Sequence, residues 1–115
     1  MIQYDEYRIE LQNMQDSIKE LGETLNIEAL KQQIEQLDNE ASKPGFFDDM
    51  SHSQKVLQKS KNLKDKVEKY QNLETTYEDT RVLIDMANEE DDESMLGEVT
   101  SAVEEIKSTL ETMTL

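Results

Sequence analysis

Apolar residues recur every three or four positions through four separate stretches of this chain. In the first, from about Gln3 to Leu25, they step by 4, 3, 4, 3 and 4. Its stripe residues are Tyr7, Leu11, Met14, Ile18, Leu21 and Leu25. This spacing places side chains on one face of an α-helix, whereas a half-buried strand would alternate every second residue. The pattern therefore predicts an amphipathic helix over this stretch.

Three further stretches repeat the pattern, over about Ile27–Ala41, Met50–Asn88 and Met95–Met113. The third is the longest, at roughly 55–60 Å if unbroken, and its broader stripe is typical of a helix that contacts two neighbours. The first two could be separate helices or one bent helix. Short connections favour antiparallel packing, and a net charge of −15 favours an elongated shape. We therefore predict an all-α fold, an elongated antiparallel bundle of three to four helices with one long central helix, forming a single domain over residues 1–115.

The segment from Pro44 to Asp49 interrupts the helical pattern. It contains the only proline and both phenylalanines, Phe46 and Phe47. Pro-Gly is a strong local stop signal, and two adjacent large rings are unusual in a solvated loop. We interpret Phe46 and Phe47 as a plug at the end of the bundle, followed by Asp48 or Asp49 as N-cap of the next helix. An ordinary helix–helix loop is the alternative.

Composition and motifs argue against an enzyme. The chain has no cysteine and no apolar run long enough to cross a membrane, and its acidic N-terminus lacks the features of a signal peptide. It has no phosphate-binding glycine loop or nucleophile motif. Its single histidine, His52, has no nearby cysteine and only an Asp pair shortly before it, so we interpret it as a solvated or capping residue and not as a metal ligand. We expect no catalytic residue, cofactor, metal site, membrane partner or small-molecule substrate, and a cytoplasmic location.

A cluster of lysines reverses the local charge of this acidic chain. Lys55, Lys59, Lys66 and Lys69 fall at helical offsets of 4, 7 and 3. An acidic chain disfavours non-specific nucleic-acid binding, but a local patch of lysines is a candidate docking surface for RNA or an acidic protein. The alternative is a solvated face whose lysines pair with acidic residues on adjacent helices.

Several non-repetitive residues carry a resemblance to a known family. They are Leu37–Ala41, the Pro44-Gly45-Phe46-Phe47-Asp48-Asp49 stretch, Gln54 and Leu63, the acidic run from Asn88 to Glu93, and Val103–Ile106. Together they resemble the N-terminal helical domain of the bacterial class I peptide chain release factors, in the release factor 2 branch. The resemblance covers residues 27–115 by motif and 1–26 by pattern. Phe47 and Met50 depart from it, since Trp and Pro are frequent there in the family.

The resemblance implies a role in translation termination at the stop codons UGA and UAA by a longer factor. The family's codon-reading Ser-Pro-Phe and its Gly-Gly-Gln loop are absent from these residues, so we expect a fragment in which no catalytic residue can be assigned. The implied partners are the ribosome, at the stalk base and GTPase centre of the large subunit through ribosomal RNA and protein, and the GTPase release factor 3. A free-standing coiled-coil adaptor or chaperone-like helical hairpin is the alternative, and Gly-Gly-Gln downstream of Leu115 would decide against it.

Overall fold

The computed structural model describes all 115 residues, and its regular structure is entirely helical. Its α-helices are α1 (Ile2–Leu25), α2 (Ile27–Ala41), α3 (Met50–Glu89) and α4 (Leu96–Thr114), with short 3-10 helices at Phe46–Asp48 and Glu93–Met95. The all-α prediction with one long helix is confirmed, and each predicted boundary lies within one residue of the observed one. No helix combines the length and the apolar character that crossing a membrane requires.

One residue, Asn26, separates α1 from α2. Its backbone is left-handed, with φ 52°, and its side chain makes no capping hydrogen bond. Asparagine tolerates this conformation better than most residues because its short polar side chain reduces the steric cost. The structure thus answers the question left open by the sequence: α1 and α2 are two helices, and Asn26 interrupts the helical conformation between them.

The start of α3 is fixed by Asp49. Its carboxylate oxygen Oδ1 accepts from the backbone N–H of His52 at 3.1 Å, and its carbonyl accepts from the N–H of Ser53 at 2.9 Å. A side-chain acceptor at this position satisfies an N–H group that the first helical turn leaves without a partner. Of the two predicted capping residues, Asp49 is therefore the one that caps the helix.

The chain divides into two compact units. Unit 1 comprises residues 1–22 and 71–115, and unit 2 comprises residues 23–70. Eight of the twelve basic residues lie in unit 2 beside nine of the 27 acidic ones, so its formal charge is −1. The other four basic and 18 acidic residues give unit 1 a formal charge of −14. The negative charge of the chain is thus confined almost wholly to unit 1.

Unit 1 packs α1 against α4 and the second half of α3. Its most deeply buried side chains are Tyr4, Leu11, Ile84, Ala87, Val99, Val103 and Ile106. The Tyr4 hydroxyl donates to the backbone carbonyl of Asp92, and the side-chain hydroxyl groups of Tyr7 and Thr100 are hydrogen-bonded to each other at 3.0 Å. Because both contacts join the start of α1 to the start of α4, these two helices run in the same direction.

Unit 2 is built on a helical hairpin of α2 and the first half of α3. Glu40 contacts His52, and Asp38 contacts both Ser60 and Lys64. Contacts therefore move backward along α2 as they move forward along α3, which makes the pair antiparallel. The apolar stripe of α2 is only half-buried at every position, because one facing helix cannot enclose it.

The buried stripe of α3 changes flank along the helix. Val56, Leu63, Tyr70, Tyr77 and Ile84, seven residues apart, form a continuous buried line. In the first half of α3, a second buried row lies on one side of this line, three residues before the members of the line: Ser53, Ser60 and Val67. In the second half, the second buried row lies on the other side, three residues after the members of the line: Leu73, Thr80 and Ala87. The change falls near Tyr70, where the chain passes from unit 2 to unit 1. This shift explains the irregular apolar pattern of the third stretch.

The same substitution at two glycines is expected to have opposite effects on stability. Gly45 has φ +81°, and a Cβ there would lie 3.1 Å from a carboxylate oxygen of Asp48. Gly45→Ala should therefore lower the free energy of unfolding by about 1–2 kcal/mol. Gly97 lies inside α4 with nothing within 4 Å of an added Cβ, so Gly97→Ala should raise it by up to about 1 kcal/mol. Urea denaturation of both variants measures the difference, and equal shifts would contradict the left-handed turn at Gly45.

Candidate docking surface

The lysine surface, defined as Lys55, Lys59, Lys66 and Lys69, lies on the first half of α3. All four side chains are exposed. At 3.6 residues per turn they fall within an arc of about 80° and span about 21 Å along the helix axis. Their arc lies beside, and not within, the buried stripe of Val56, Leu63 and Val67. The helix therefore presents the four ammonium groups to solvent on one flank.

Ion pairing divides the lysines of α3 into two sets. Lys61 pairs with Asp65 at 3.0 Å, and Lys64 pairs with Asp38 on α2 at 3.0 Å. No carboxylate lies within 4 Å of any of the four ammonium groups of the lysine surface. The alternative of lysines paired with acids on adjacent helices therefore describes Lys64 but not the lysine surface.

The two phenylalanines have different environments. Phe46 is 8% exposed, whereas Phe47 is 66% exposed, and their rings meet edge to face with centroids 4.9 Å apart. Both belong to a 3-10 helix, in which consecutive side chains point about 120° apart. The interpretation placed both rings in a plug, but this geometry allows only Phe46 to be buried. Phe47 instead lies on the surface, as does Met50 at the start of α3.

His52 links the two helices of unit 2. Its Nε2 lies 2.6 Å from Oε1 of Glu40, and both side chains remain substantially exposed. No group of three or more His, Cys, Asp or Glu residues is arranged to hold a metal ion. His52 therefore serves the contact between α2 and α3.

Asp38 is the most highly connected carboxylate of unit 2. Its Oδ1 accepts from the buried Ser60 hydroxyl at 2.8 Å, and its Oδ2 lies 3.0 Å from the Lys64 ammonium. The hydrogen bond from Lys64, followed by that from Ser60, lowers the pKa of Asp38 below its ordinary value. The sequence stripe missed this contact because it counted only apolar side chains, and Ser60 occupies a stripe position of α3.

Acid is expected to weaken unit 2 through Asp38. A carboxyl with a lowered folded-state pKa adds stability above its unfolded pKa of about 3.9, and this stability is lost as the pH falls through the folded value. Lys64→Met removes the main cause of the shift, so the pKa of Asp38 should rise toward its ordinary value. An NMR titration of the Asp38 carboxyl carbon in both proteins measures this, and an unchanged titration would contradict the assigned cause.

The acidic turn belongs to unit 1 and has its own hydrogen bonds. Asp92 Oδ1 accepts from the hydroxyl of Ser94 at 2.6 Å and from its backbone N–H at 2.9 Å, and these bonds lower the pKa of Asp92. Asp92 therefore caps the short 3-10 helix before α4. Burial, followed by the nearby charge of Asp92, raises the pKa of the Tyr4 hydroxyl. Tyr4 was missed by the sequence analysis although it lies seven residues before Leu11.

The lysine surface adjoins an open depression and not a cleft. The depression is lined by Ser51, Gln54, Lys55, Leu57, Gln58, Lys59, Lys61 and Asn62, all on α3. Because one helix supplies every lining residue, no second wall can exclude water from a bound molecule. General acid–base chemistry depends on enclosed groups with shifted pKa values, so this geometry suits contact with a macromolecule better than chemistry on a small substrate. The fold and this open basic flank define an all-helical domain with an exposed basic surface.

Comparison with known proteins gives the family of this domain. Residues 30–115 match the model of the PCRF domain, and the chain belongs to the PCRF domain family. Curated proteins called peptide chain release factor 2 are similar to it over most of its length. The protein from Petrotoga mobilis is 26% identical over 107 residues, 93% of this chain and 28% of that protein. The protein from Clostridium perfringens strain SM101 is 31% identical over 103 residues, 90% of this chain and 28% of that protein.

A relative from an Exiguobacterium species shows the same coverage. It is 31% identical over 106 residues, which is 92% of this chain and 29% of that protein. The chain thus spans less than a third of the length of these curated relatives. No solved structure matches the chain significantly. The resemblance to the release factor 2 branch, first seen in the Pro44–Asp49 stretch and the acidic turn, is confirmed.

Proposed function

We propose that this chain is the non-catalytic N-terminal binding domain of a cytoplasmic release factor that terminates translation at UGA and UAA. The observation that carries the proposal is the PCRF match over residues 30–115, together with relatives that are called peptide chain release factor 2. Residues 1–115 act as one domain, and the codon-reading and peptide-releasing groups belong to other parts of the longer factor.

The binding role follows from the form of the surface. The helices of each unit hold their side chains on rigid backbones, and contacts built on rigid elements lose less entropy on binding than contacts on loops. The lysine surface is exposed and unpaired, so it is available to a partner without first breaking an ion pair. The partner is the ribosome near the stalk base and GTPase centre of the large subunit, and release factor 3 acts on the same complex.

An exchange of domains tests the proposed function. The corresponding segment of the Clostridium perfringens release factor 2 is replaced by residues 1–115, and peptide release is measured on ribosomes that display UGA, UAA or UAG. The chimera should release at UGA and UAA, but not at UAG, at a rate close to that of the parent factor and above that of a factor lacking the segment. A chimera no better than the truncated factor would overturn the proposal.

Charge reversal on the lysine surface is expected to weaken ribosome binding. Lys55→Glu, Lys59→Glu and Lys66→Glu together change the local charge by six units, and contacts with an anionic partner would become repulsive. We expect at least a tenfold loss of affinity for ribosomes at low salt, with an unchanged far-UV CD spectrum because the side chains are exposed. Retained affinity would remove the lysine surface from the binding site.

A further inference from the structure

Residues 50–64 contain no acidic residue, in a chain where 27 of 115 residues are acidic. This is the longest acid-free stretch of the chain, and it forms the first four turns of α3. Its polar residues are lysines, amides, serines and one histidine. The net charge of this stretch is therefore positive, opposite to that of unit 1, and its polar side chains are lysines and neutral groups instead of carboxylates.

The side chains of this stretch fall on two faces. Ser53, Val56, Ser60 and Leu63 are buried. The outer α3 face, defined as Ser51, Gln54, Lys55, Gln58, Lys59 and Asn62, is exposed throughout. These six residues lie together at helical offsets of three and four, and all of them line the open depression on α3. Lys66 and Lys69 continue the same face toward the second half of the helix.

The outer α3 face consists chiefly of hydrogen-bond donors. The Lys55 and Lys59 ammonium groups are free of ion pairs. The Gln58 amide Nε2 donates to Asn62 Oδ1 at 2.9 Å, which leaves the Asn62 amide group free to donate outward. Ammonium, amide and hydroxyl groups are the side-chain groups that contact phosphate and sugar oxygens in nucleic-acid complexes.

We infer that the outer α3 face binds the phosphate–ribose backbone of RNA; this rests on the proposed function, which places the domain on a particle that contains RNA. A lysine ammonium group acts as a point charge and does not form the bidentate hydrogen bonds by which arginine reads base edges. We therefore expect the face to recognise the RNA backbone and not a base sequence. Lysine is depleted at protein–protein interfaces relative to the rest of the surface, which favours RNA over an acidic protein.

The distribution of charge limits binding to this face. Unit 1 carries −14 and is repelled by a polyanion, while unit 2 is nearly neutral and concentrates its lysines on α3. The net acidity of the chain disfavours non-specific binding elsewhere on its surface, so a phosphate backbone is repelled least at the outer α3 face and at its continuation through Lys66 and Lys69. The acidic composition and the RNA contact are therefore compatible.

The number of lysines sets the expected salt dependence. If Lys55, Lys59, Lys66 and Lys69 each neutralise one phosphate, log K falls with log salt at a slope of about −3. Raising the salt from 50 to 200 mM should then lower the affinity about 60-fold. Lys55→Glu with Lys59→Glu removes two of these contacts, so the salt dependence should become shallower, with a slope of about −1.5. The affinity at low salt should fall at least tenfold.

The experiment measures binding of the 115-residue chain to a fluorescein-labelled fragment of 23S ribosomal RNA by anisotropy, from 20 to 200 mM salt. Lys19→Glu with Lys107→Glu is the matched control, because it makes the same charge change at exposed lysines of unit 1. Gln54→Ala with Gln58→Ala tests the amides, and it should lower the affinity severalfold while leaving the salt slope unchanged. Far-UV CD checks that each variant remains helical.

The expected result is RNA binding whose affinity Lys55→Glu with Lys59→Glu lowers at least tenfold and the control retains within about twofold. No RNA binding at 20 mM salt, or equal loss in the control, would overturn the inference. Competition by polyglutamate as strong as by RNA would overturn it in favour of an acidic protein partner. Sedimentation with 50S subunits distinguishes the two proposals. If the chain binds 50S subunits but not RNA, only this inference is contradicted. If it binds RNA but not 50S subunits, the proposed function is contradicted.

Discussion

Replacing Ile84 by alanine is expected to lower the free energy of unfolding by about 2–5 kcal/mol. Ile84 is 1% exposed on the buried line of α3 in unit 1. Its truncation removes buried methyl groups and leaves a cavity that rigid helices can only partly close. Since small domains are stable by only about 5–15 kcal/mol, this single change should shift the urea midpoint strongly.

Val82→Ala is the matched control for Ile84→Ala. Val82 lies two residues away on the same helix and is 43% exposed, so its truncation should cost less than about 1 kcal/mol. Urea denaturation followed by far-UV CD compares the two variants. Equal losses of stability would contradict the packing of α3 in unit 1, and so would a larger loss in Val82→Ala.

Phe46→Ala is expected to cost about 3–5 kcal/mol, the range observed when buried aromatic rings are truncated. Phe46 is the one buried residue of the turn between α2 and α3, and α2 has no fully buried side chain of its own. The stability of unit 2 therefore depends on this ring more than it would if the side chains of α2 were fully enclosed. Loss of the ring should reduce the protection of α2 amides from hydrogen exchange.

Phe47→Ala is the natural comparison because the residue is adjacent, chemically identical and mostly exposed. Its loss removes the edge-to-face contact with Phe46, which is worth about 0.5–1.5 kcal/mol, and little else. Thermal denaturation of both variants should give a clear difference. If Phe47→Ala were the more damaging change, the orientation of the 3-10 helix would be wrong.

The fold could be predicted from the sequence because apolar spacing at three and four residues is a direct consequence of helical geometry. The bounds of α2 agree with the prediction, and those of the other helices differ by at most one residue. The pattern failed where polar groups enter the interior. Ser53, Ser60 and Thr80 are buried, and no rule based on apolar residues could place them there.

The candidate site was less accessible to sequence reasoning than the fold. The sequence gathers the lysines on one helix, but it could not separate Lys64, which pairs with Asp38, from Lys55 and Lys59, which do not pair. That distinction depends on the antiparallel register of α2 and α3, a property of the folded hairpin. Likewise, adjacent Phe46 and Phe47 differ in burial only because the turn is a 3-10 helix.

Sedimentation of the 115-residue chain with purified 50S and 30S ribosomal subunits tests the binding role most directly. We predict that the chain sediments with 50S subunits, does not sediment with 30S subunits, and is displaced by full-length release factor 2 from Clostridium perfringens. A chain that remains in the supernatant with 50S subunits even at low salt would contradict a role as a ribosome-binding domain of a release factor.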